Sequence, residues 1–334
     1  MYFGFDADQL ALREGLRDLL RDACPPAVVR AAWDAPLERE APSALWRRLA
    51  ELGLLGLLAP AERGGMGGDE VDLVLLMEEC GRFAVPGTLL EQIAVGVPLL
   101  VDGDDDYAAA AISGEFLVAV QPEPGAGVVG ADGADLLILL DGDRAYLAGA
   151  EQMSLTGPVQ AVDRSMTLFA TDVETSVPLT GTDVQLARER ATLAVAAQLL
   201  GLADRMIQMS VDHAKARTQF GVPIGSQQAV KHHLATALIA LEHARPVVLH
   251  AGYALAHSDP QRCREVSHAK VYAWRAAHAA ARAALQCHGA IGYTWDHDLQ
   301  LWMKRVWALG PAWGTVAAHE RRVADVVLAE ATVG

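Results

Sequence analysis

The sequence predicts a mainly α-helical chain with a small β-domain set between two helical parts. Three observations carry this. The first 105 or so residues read as amphipathic helices, residues 112–180 break into short apolar runs parted by Gly, Pro and Asp, and long helical patterns return from about residue 184. At 334 residues the chain is long enough for a large core and two or three domains. With 52% hydrophobic and 21% charged residues, its composition is that of a folded protein.

The N-terminal part opens with a helix over residues 6–23, where Asp6 and Gln9 have the spacing of a capping box. Leu10, Leu12, Leu16, Leu19 and Leu20 fall mostly on one of its faces. Ser43 caps a second helix that runs through Leu52 and stops at Gly53. A third apolar stretch, Asp72 to Cys80, follows the loop Arg63-Gly64-Gly65-Met66-Gly67-Gly68, and Leu89 to Leu100 continues the helical pattern. The glycine loop lacks the following Gly-Lys-Ser/Thr of a phosphate loop, so a tight connection between helices is expected.

In the middle part, strands are expected at FLVAV (116–120), DLLILL (135–140), RAYLAG (144–149) and SMTLFA (165–170). In the last part, residues 186–216, 227–256, Ser267 to Cys287 and Gly314 to Ala329 read as four helices, the pattern of a bundle. The domain organisation is thus an N-terminal helical domain over 1–105, a reduced β-domain over 106–182 and a C-terminal four-helix domain over 183–334. The helices around 193–206 and 271–285 are apolar on more than one face, which predicts a large apolar interface with another chain.

Net charge is −15 with no basic patch, which argues against nucleic acid and anionic membrane surfaces. Cys24, Cys80, Cys263 and Cys287 form no C-x-x-C pair, and no His cluster has zinc spacing, so no metal is expected and the thiols suit a reducing compartment. The start MYFGFDADQL has no signal-peptide pattern and no apolar run reaches membrane-spanning length, which predicts a cytoplasmic protein.

Two segments carry chemistry, ARTQFGVPIGSQQAVKH over 216–232 and QCHGAIGYTWDHDL over 286–299. Arg217 offers a permanent charge and a bidentate fork suited to a pyrophosphate. Gly221 and Gly289 allow close backbone approach, Phe220 offers a flat apolar face, and Gln219, Gln228 and Gln286 offer neutral donors and acceptors. Taken alone, Arg217 reads as a solvated cation at a helix C-terminus. His232 and His233 read as packing or capping residues, and Trp274, Trp302 and Trp307 as core or interface.

These segments, with PAERGGMG (60–67) and MEECGR (77–82), resemble the acyl-CoA dehydrogenase family in the same order along the chain. The resemblance implies FAD as cofactor, held at Arg217, Gln219, Phe220, Gln228, Gln286 and Gly289, and α,β-desaturation of an acyl-CoA thioester in β-oxidation-type lipid metabolism. It also implies an electron-accepting flavoprotein as a further partner. The sequence departs from the family in a pattern. Where the family places its base in Tyr-Glu-Gly-Thr, this chain has Pro311-Ala312-Trp313-Gly314-Thr315, and an indole has no basic lone pair. The family's alternative site for the base falls on Ala191. Glu189 lies two residues away, about 200° around a helix at roughly 100° per residue, and reads as a solvated partner of Arg188 or Arg190. The flavin-seating stretch of the β-domain corresponds to Val120-Gln121-Pro122-Glu123-Pro124-Gly125-Ala126-Gly127, with no Ser-Asp following. Gln227 and Ala290 replace a family aromatic and a family glycine.

In the family each FAD lies between two subunits, and this sequence keeps the half that is donated to a neighbour. It resembles the short, non-catalytic subunit of α2β2 heterotetramers, several of them from bacterial steroid side-chain degradation. The expected partner is therefore a catalytic acyl-CoA dehydrogenase-like subunit that binds most of the acyl-CoA. Two alternatives stand beside this: a homomeric dehydrogenase with Glu189 as base, and a flavin-free scaffold subunit. The residues do not give the acyl group.

Overall fold

The computed structural model describes residues 4–34, 43–103, 106–159 and 161–333. The chain is mostly helical, with the strands confined to its middle, and it divides into two compact units. One comprises residues up to 76 and 85–194; the other comprises 77–84 and 195–334. The N-terminal helices and the strands belong to the same unit.

In the first unit, α1 (Ala7–Ala23) starts at the capping box: Gln9 N–H donates to Asp6 Oδ1 at 2.8 Å and Asp6 N–H to Gln9 Oε1 at 3.1 Å. Leu16 and Leu20 point into the core, while Leu10 is exposed. The sequence reading has no counterpart for α2 (Pro26–Asp34). Its signal is short, a proline at the first helical position and the buried pair Val29 and Trp33 four residues apart. Ser43 Oγ accepts from Trp46 N–H to open α3 (Ala44–Glu51), and left-handed Gly53 follows its end. The glycine loop is a tight connection. Gly65 donates to Pro60 O, Met66 to Gly56 O, Gly67 to Ala59 O and Gly68 to Leu57 O. A Cβ on Gly65 would lie 2.1 Å from Ala59 O. Amides already given to the loop's own carbonyls have nothing left for a phosphate.

The helix α4 (Glu70–Arg82) follows, then one apolar helical run made of α5 (Leu89–Glu91), a π turn (Gln92–Gly96) and α6 (Val97–Asp102). The π turn holds Gln92, fully buried and fully used. Its amide donates to Ala111 O and Phe116 O at 2.8 and 3.0 Å and accepts from Val118 N–H at 2.7 Å. It thereby ties the π turn to the end of α7 (Ala108–Ser113) and the start of β1 (Val118–Gln121).

The β part contains four strands near the expected runs and three further ones. Besides β1 they are β2 (Val128–Val129), β3 (Leu136–Asp141), β4 (Arg144–Gly149), β5 (Met153–Val159), β6 (Leu168–Val173) and β7 (Val177–Leu179). One sheet has the order β1-β3-β4-β7, with β1 parallel to β3, and the other has the order β2-β6-β5. Ala119, Val128, Ala131, Ala134, Leu137 and Phe169 form their shared core. The additional strands β2 and β7 are two and three residues long, and β5 is almost wholly exposed, so none shows an apolar run.

Four long helices, α8 (Val184–Ala216), α9 (Gln228–Ala256), α10 (Arg262–His288) and α12 (Val316–Val333), run through the last part of the chain. The antiparallel strand pair β8 (Thr218–Gln219) and β9 (Val222–Pro223) lies between α8 and α9, and a shorter helix, α11 (Leu299–Leu309), between α10 and α12. In the second unit, α10 packs on α9 and α12. Backbone meets backbone where α4 crosses α8: a Cβ on Gly201 would lie 1.8 Å from Glu78 O, and one on Gly81 2.1 Å from Gln198 O. The apolar surfaces that predicted an interface with another chain are used within this one. Residues 191–203 are buried throughout, and Ala273, Ala276, Ala277, Ala280 and Ala284 face inward, leaving Tyr272, Arg275, Arg282 and Gln286 exposed. Among the described residues no helix is long and apolar enough to cross a membrane, and no group of His, Cys, Asp and Glu is arranged to hold a metal ion. The four cysteines form no disulfide.

Two glycines test the packing with opposite signs. Gly201→Ala is expected to cost about 1–3 kcal/mol through overpacking. Gly15→Ala, on the exposed face of α1 with nothing within 4 Å of the added methyl, is expected to stabilise by about 0.5–1 kcal/mol. Urea denaturation of the two variants checks both. A third variant tests the buried ion pair of Glu78 with Arg245. Burial raises the Glu78 carboxyl above its ordinary value and Arg245 opposes this. Arg245→Met removes the opposition, so the folded chain holds that proton to higher pH than the unfolded chain does. Stability of the variant should therefore fall, relative to the parent, as pH rises through and above the carboxylate range. Glu78→Gln in the same background should abolish the difference, read by denaturant midpoints between about pH 5 and 8.

Candidate functional site

The first motif folds as a hairpin at the end of α8. Arg217 N–H continues the helix to His213 O at 2.8 Å, and Ile224 N–H returns to Arg217 O at 2.8 Å. Between them Thr218 pairs with Pro223 and Gln219 with Val222. Phe220 and Gly221 are the two turn residues, with φ of 53° and 82°. Two consecutive positive φ values define the turn whose twist matches a hairpin, and they make Gly221 the natural second residue. A phenylalanine at positive φ is uncommon, and its side chain is 97% exposed. Arg217, Gln219 and Gln228 are exposed beside it, Gln228 as the first residue of α9. His232 and His233, expected to pack or cap, are exposed as well.

The second motif ends α10. Gln286 is exposed, and Gly289 closes the helix at φ 65° and ψ −146°, with nothing within 4 Å of an added Cβ. A glycine is needed there for the backbone conformation, and its bare face leaves room for a ligand's approach. Ile291, Tyr293 and Trp295 follow, 47%, 64% and 54% exposed. Trp302, by contrast, is core, and Trp274 stacks on His278.

What joins the two motifs was not read from the sequence. His213, one turn before Arg217, stacks on His288, one residue before Gly289, with ring centroids 4.4 Å apart. His297 meets His288 edge-on at 4.7 Å. His288 is buried. Its Nδ1–H donates to Ala284 O at 2.8 Å, and its Nε2 is buried without a hydrogen-bond partner. Burial, outweighing the bond to Ala284 and reinforced by the neighbouring imidazoles, lowers its pKa to about 4. Burial, then His297 and Arg217, lower His213 as well. The available signal was the i,i+4 spacing of His213 and Arg217; the pairing across helices needed the fold.

The donor set at this end of the second unit fits the anionic end of FAD. It offers one guanidinium, exposed amides on both motifs, an exposed aromatic face and a bare glycine. Arg217, Gln219, Phe220, Gln228, Gln286 and Gly289 would hold it.

The loop where the family carries its base is built differently. Lys270 is fully buried on α10, and its ammonium donates to Leu309 O at 2.8 Å and Ala312 O at 2.7 Å, carbonyls at and just beyond the end of α11. His319 donates from Nε2 to Trp313 O at 3.1 Å, while its Nδ1 lies 3.1 Å from Ser267 Oγ. Trp313 takes φ 55°, and a Cβ on Gly314 would lie 2.6 Å from His319 Nε2. Thr315 Oγ1 caps α12 by accepting from Ala318 N–H. No carboxylate stands in the loop's sequence, and its carbonyls are engaged by Lys270 and His319.

In the first unit, Ala191 is buried, and Glu189 is not the solvated partner of an arginine that the sequence suggested. It is 4% exposed and accepts from Gln185 Nε2 at 2.8 Å. Arg190 pairs with Glu70 at 2.8 Å, and Arg188 donates to Pro122 O. Gln121 donates to Ala126 O and Thr171 Oγ1. The 121–127 stretch is thus tied down by its own chain.

Desolvation lowers Lys270 to about 7. With the folded value below the unfolded one, the unfolded chain binds more protons between about pH 7 and 10, so this residue makes stability rise with pH across that window by up to about 1.4 kcal/mol per unit. Denaturation of parent and Lys270→Met between pH 7 and 9 should show that slope in the parent and its loss in the variant.

Comparison with known proteins agrees with the fold. Residues 6–111 match the family "Acyl-CoA dehydrogenase, N-terminal domain" and residues 182–328 match "Acyl-CoA dehydrogenase, C-terminal domain". The chain is 34% identical to acyl-CoA dehydrogenase IpdE2 of Mycobacterium tuberculosis over 297 residues, 88% of this chain and 89% of that one. It is also 34% identical to acyl-CoA dehydrogenase FadE34 of the same organism over 337 residues, 95% of this chain but only 47% of FadE34. The ChsE4–ChsE5 complex of M. tuberculosis contains a chain of the same fold, with a TM-score of 0.85, 22% identity and coverage of 98% and 99%. The chain belongs to the acyl-CoA dehydrogenase family.

Proposed function

We propose that this chain is the cofactor-donating subunit of a heteromeric, FAD-dependent acyl-CoA dehydrogenase. In this reading it lends the pyrophosphate and adenosine half-site to a catalytic partner and supplies no α-proton base. The observation that carries the proposal is the hairpin tip. A phenylalanine 97% exposed at positive φ, flanked by exposed Arg217 and Gln219, has no role in the chain's own packing. It reads as built to meet something outside the chain. FAD would supply hydride acceptance from the β-carbon when the partner removes the α-proton. This chain's residues bind and orient: Arg217 meets the pyrophosphate, Phe220 covers an apolar face, and Gln228 and Gln286 address polar edges.

Three findings support the division of labour. Trp313 stands in a loop whose carbonyls are held by Lys270 and His319, with no carboxylate in it. In FadE34, this chain's counterpart fills less than half of one polypeptide, as expected if such a unit works alongside a second one. ChsE4–ChsE5 is itself a complex of two named components. The burial of Glu189 favours a second reading, a homomeric enzyme with Glu189 as base, because a buried carboxylate suits that task better than a solvated one.

Purification separates the readings. The chain made alone is expected to be colourless, and yellow with bound FAD only when co-produced with a catalytic partner; a yellow, active homo-oligomer would overturn the heteromer. In the complex, Arg217→Ala should weaken FAD by about ten- to a hundredfold, from loss of a charge-assisted contact of about 1.5–3 kcal/mol, and Arg217→Lys should recover part. Glu189→Gln should leave kcat within a few-fold of the parent, assayed with steroid-side-chain and straight-chain acyl-CoA. A loss of about a hundredfold or more, the scale of a true base, with FAD retained, would make Glu189 catalytic and the second reading correct.

A further inference from the structure

The end of the second unit that carries Arg217 concentrates groups able to bear positive charge. His213 and His288 stack at 4.4 Å, His297 lies 4.7 Å from His288 and 6.5 Å from His213, and Arg217 follows His213 by one helical turn. The charged or titratable groups acting on His213 are His297 and Arg217, and those acting on His288 are His213 and His297. All are cationic or can become so. Asp212, beside His213 in the chain, accepts from Gln208 Nε2 at 2.9 Å. Asp296 and Asp298 flank His297 in the chain. Burial and neighbouring groups thus lower the pKa of His213 and His288, with the permanent cation Arg217 one turn away.

We propose that binding of a pyrophosphate diester at Arg217 is coupled to uptake of a proton by the His213–His288–His297 cluster, so that this chain holds the cofactor more tightly as pH falls. This rests on the half-site reading above and adds its regulation. The balance is simple: one proton leaves solvent, one imidazole becomes imidazolium, and the new charge faces the bound anion. An anion at Arg217 adds a negative neighbour, which favours the charged ring. His213 is the primary acceptor, because it sits nearest Arg217 in the chain and is less buried than His288. His288, whose Nε2 is buried without a partner, is the ring His213 rests on. Together they act as positioning residues that join Arg217 to the Gln286–Gly289 segment. The linkage follows from general thermodynamics: a group that binds its proton more tightly in the complex makes affinity rise as pH falls, at most tenfold per unit for one proton.

The test uses the complex with the catalytic partner, stripped of FAD, and ADP-ribose, which carries the adenosine pyrophosphate diester of FAD and has no group titrating between about pH 5 and 8. Calorimetry near pH 6.5 in two buffers of unlike ionisation heat should show fractional proton uptake on binding. Affinity should fall about three- to tenfold from pH 6 to pH 8. His213→Phe, which keeps a ring stacked on His288, should bind ADP-ribose with no proton uptake at that position and a flatter pH profile. Binding by the parent with no proton uptake and a flat pH profile overturns the proposal while leaving the half-site intact, and this outcome needs no variant to fold. Absence of ADP-ribose binding at any pH removes the half-site itself, and the proposal with it.

Discussion

Much of the second unit depends on how closely two helix backbones approach each other. At Gly81 and Gly201, α4 and α8 meet with no room for a methyl group on either side. That proximity makes the eight residues 77–84, remote in sequence from the rest of the unit, its hub. From this segment Glu78 reaches Arg245 on α9, Arg82 reaches Asp204 on α8, and Trp302 on α11 donates to Arg82 O at 2.9 Å. Three helices are thus indexed against one short segment by an ion pair each or by an indole hydrogen bond, with their charged partners largely withdrawn from water. Buried ions of this kind add little net stability over apolar packing but strongly disfavour arrangements that would leave one of them unpaired. The bundle's register, and with it the meeting of α8's end with α10's end, follows from this hub.

The MEECGR run shows what sequence reading can and cannot do. As a pattern it pointed to a family, and the composition of the run already contained the reasons: a glycine for close approach, acids for burial against cations, an arginine for a helix C-terminus. Their partners, Arg245, Asp204 and Trp302, lie more than a hundred residues away, and no local period announces them. The same holds at the candidate site. Arg217, Phe220 and Gly289 were legible because a charged fork, a flat ring and a bare glycine are chemically suggestive wherever they occur. His213, His288 and Lys270 were not, because a histidine or lysine on a helix reads as surface until a second helix is laid across it. Glu189 went wrong for a related reason. Its neighbours Arg188 and Arg190 made an ion pair on the surface the simplest reading, and the fold sends both arginines elsewhere. Helix α2 and the strands β2, β5 and β7 escaped notice because they are short or exposed, so the period that identifies longer elements had too few residues in which to appear.

Charge tells a similar story at larger scale. A chain of net charge −15 is an unpromising receptor for an anion when judged by its sum. Several of its carboxylates, however, pair with arginines in the hub and on helix surfaces, and the end of the bundle around Arg217 collects two imidazoles, His213 and His288, whose pKa burial lowers. Local field, set by which groups are adjacent and which are desolvated, decides what an end of a helix bundle can accept.

The clasp of Lys270 on Leu309 and Ala312 has a mechanical consequence. An ammonium settles in a fully buried position only where carbonyls converge to receive it. Any change that turns Ala312 O outward therefore leaves a buried charge without its partner. Residue 270 and the 309–315 loop form one mechanical unit: the loop's path is written partly on α10, and a substitution in either is felt by both.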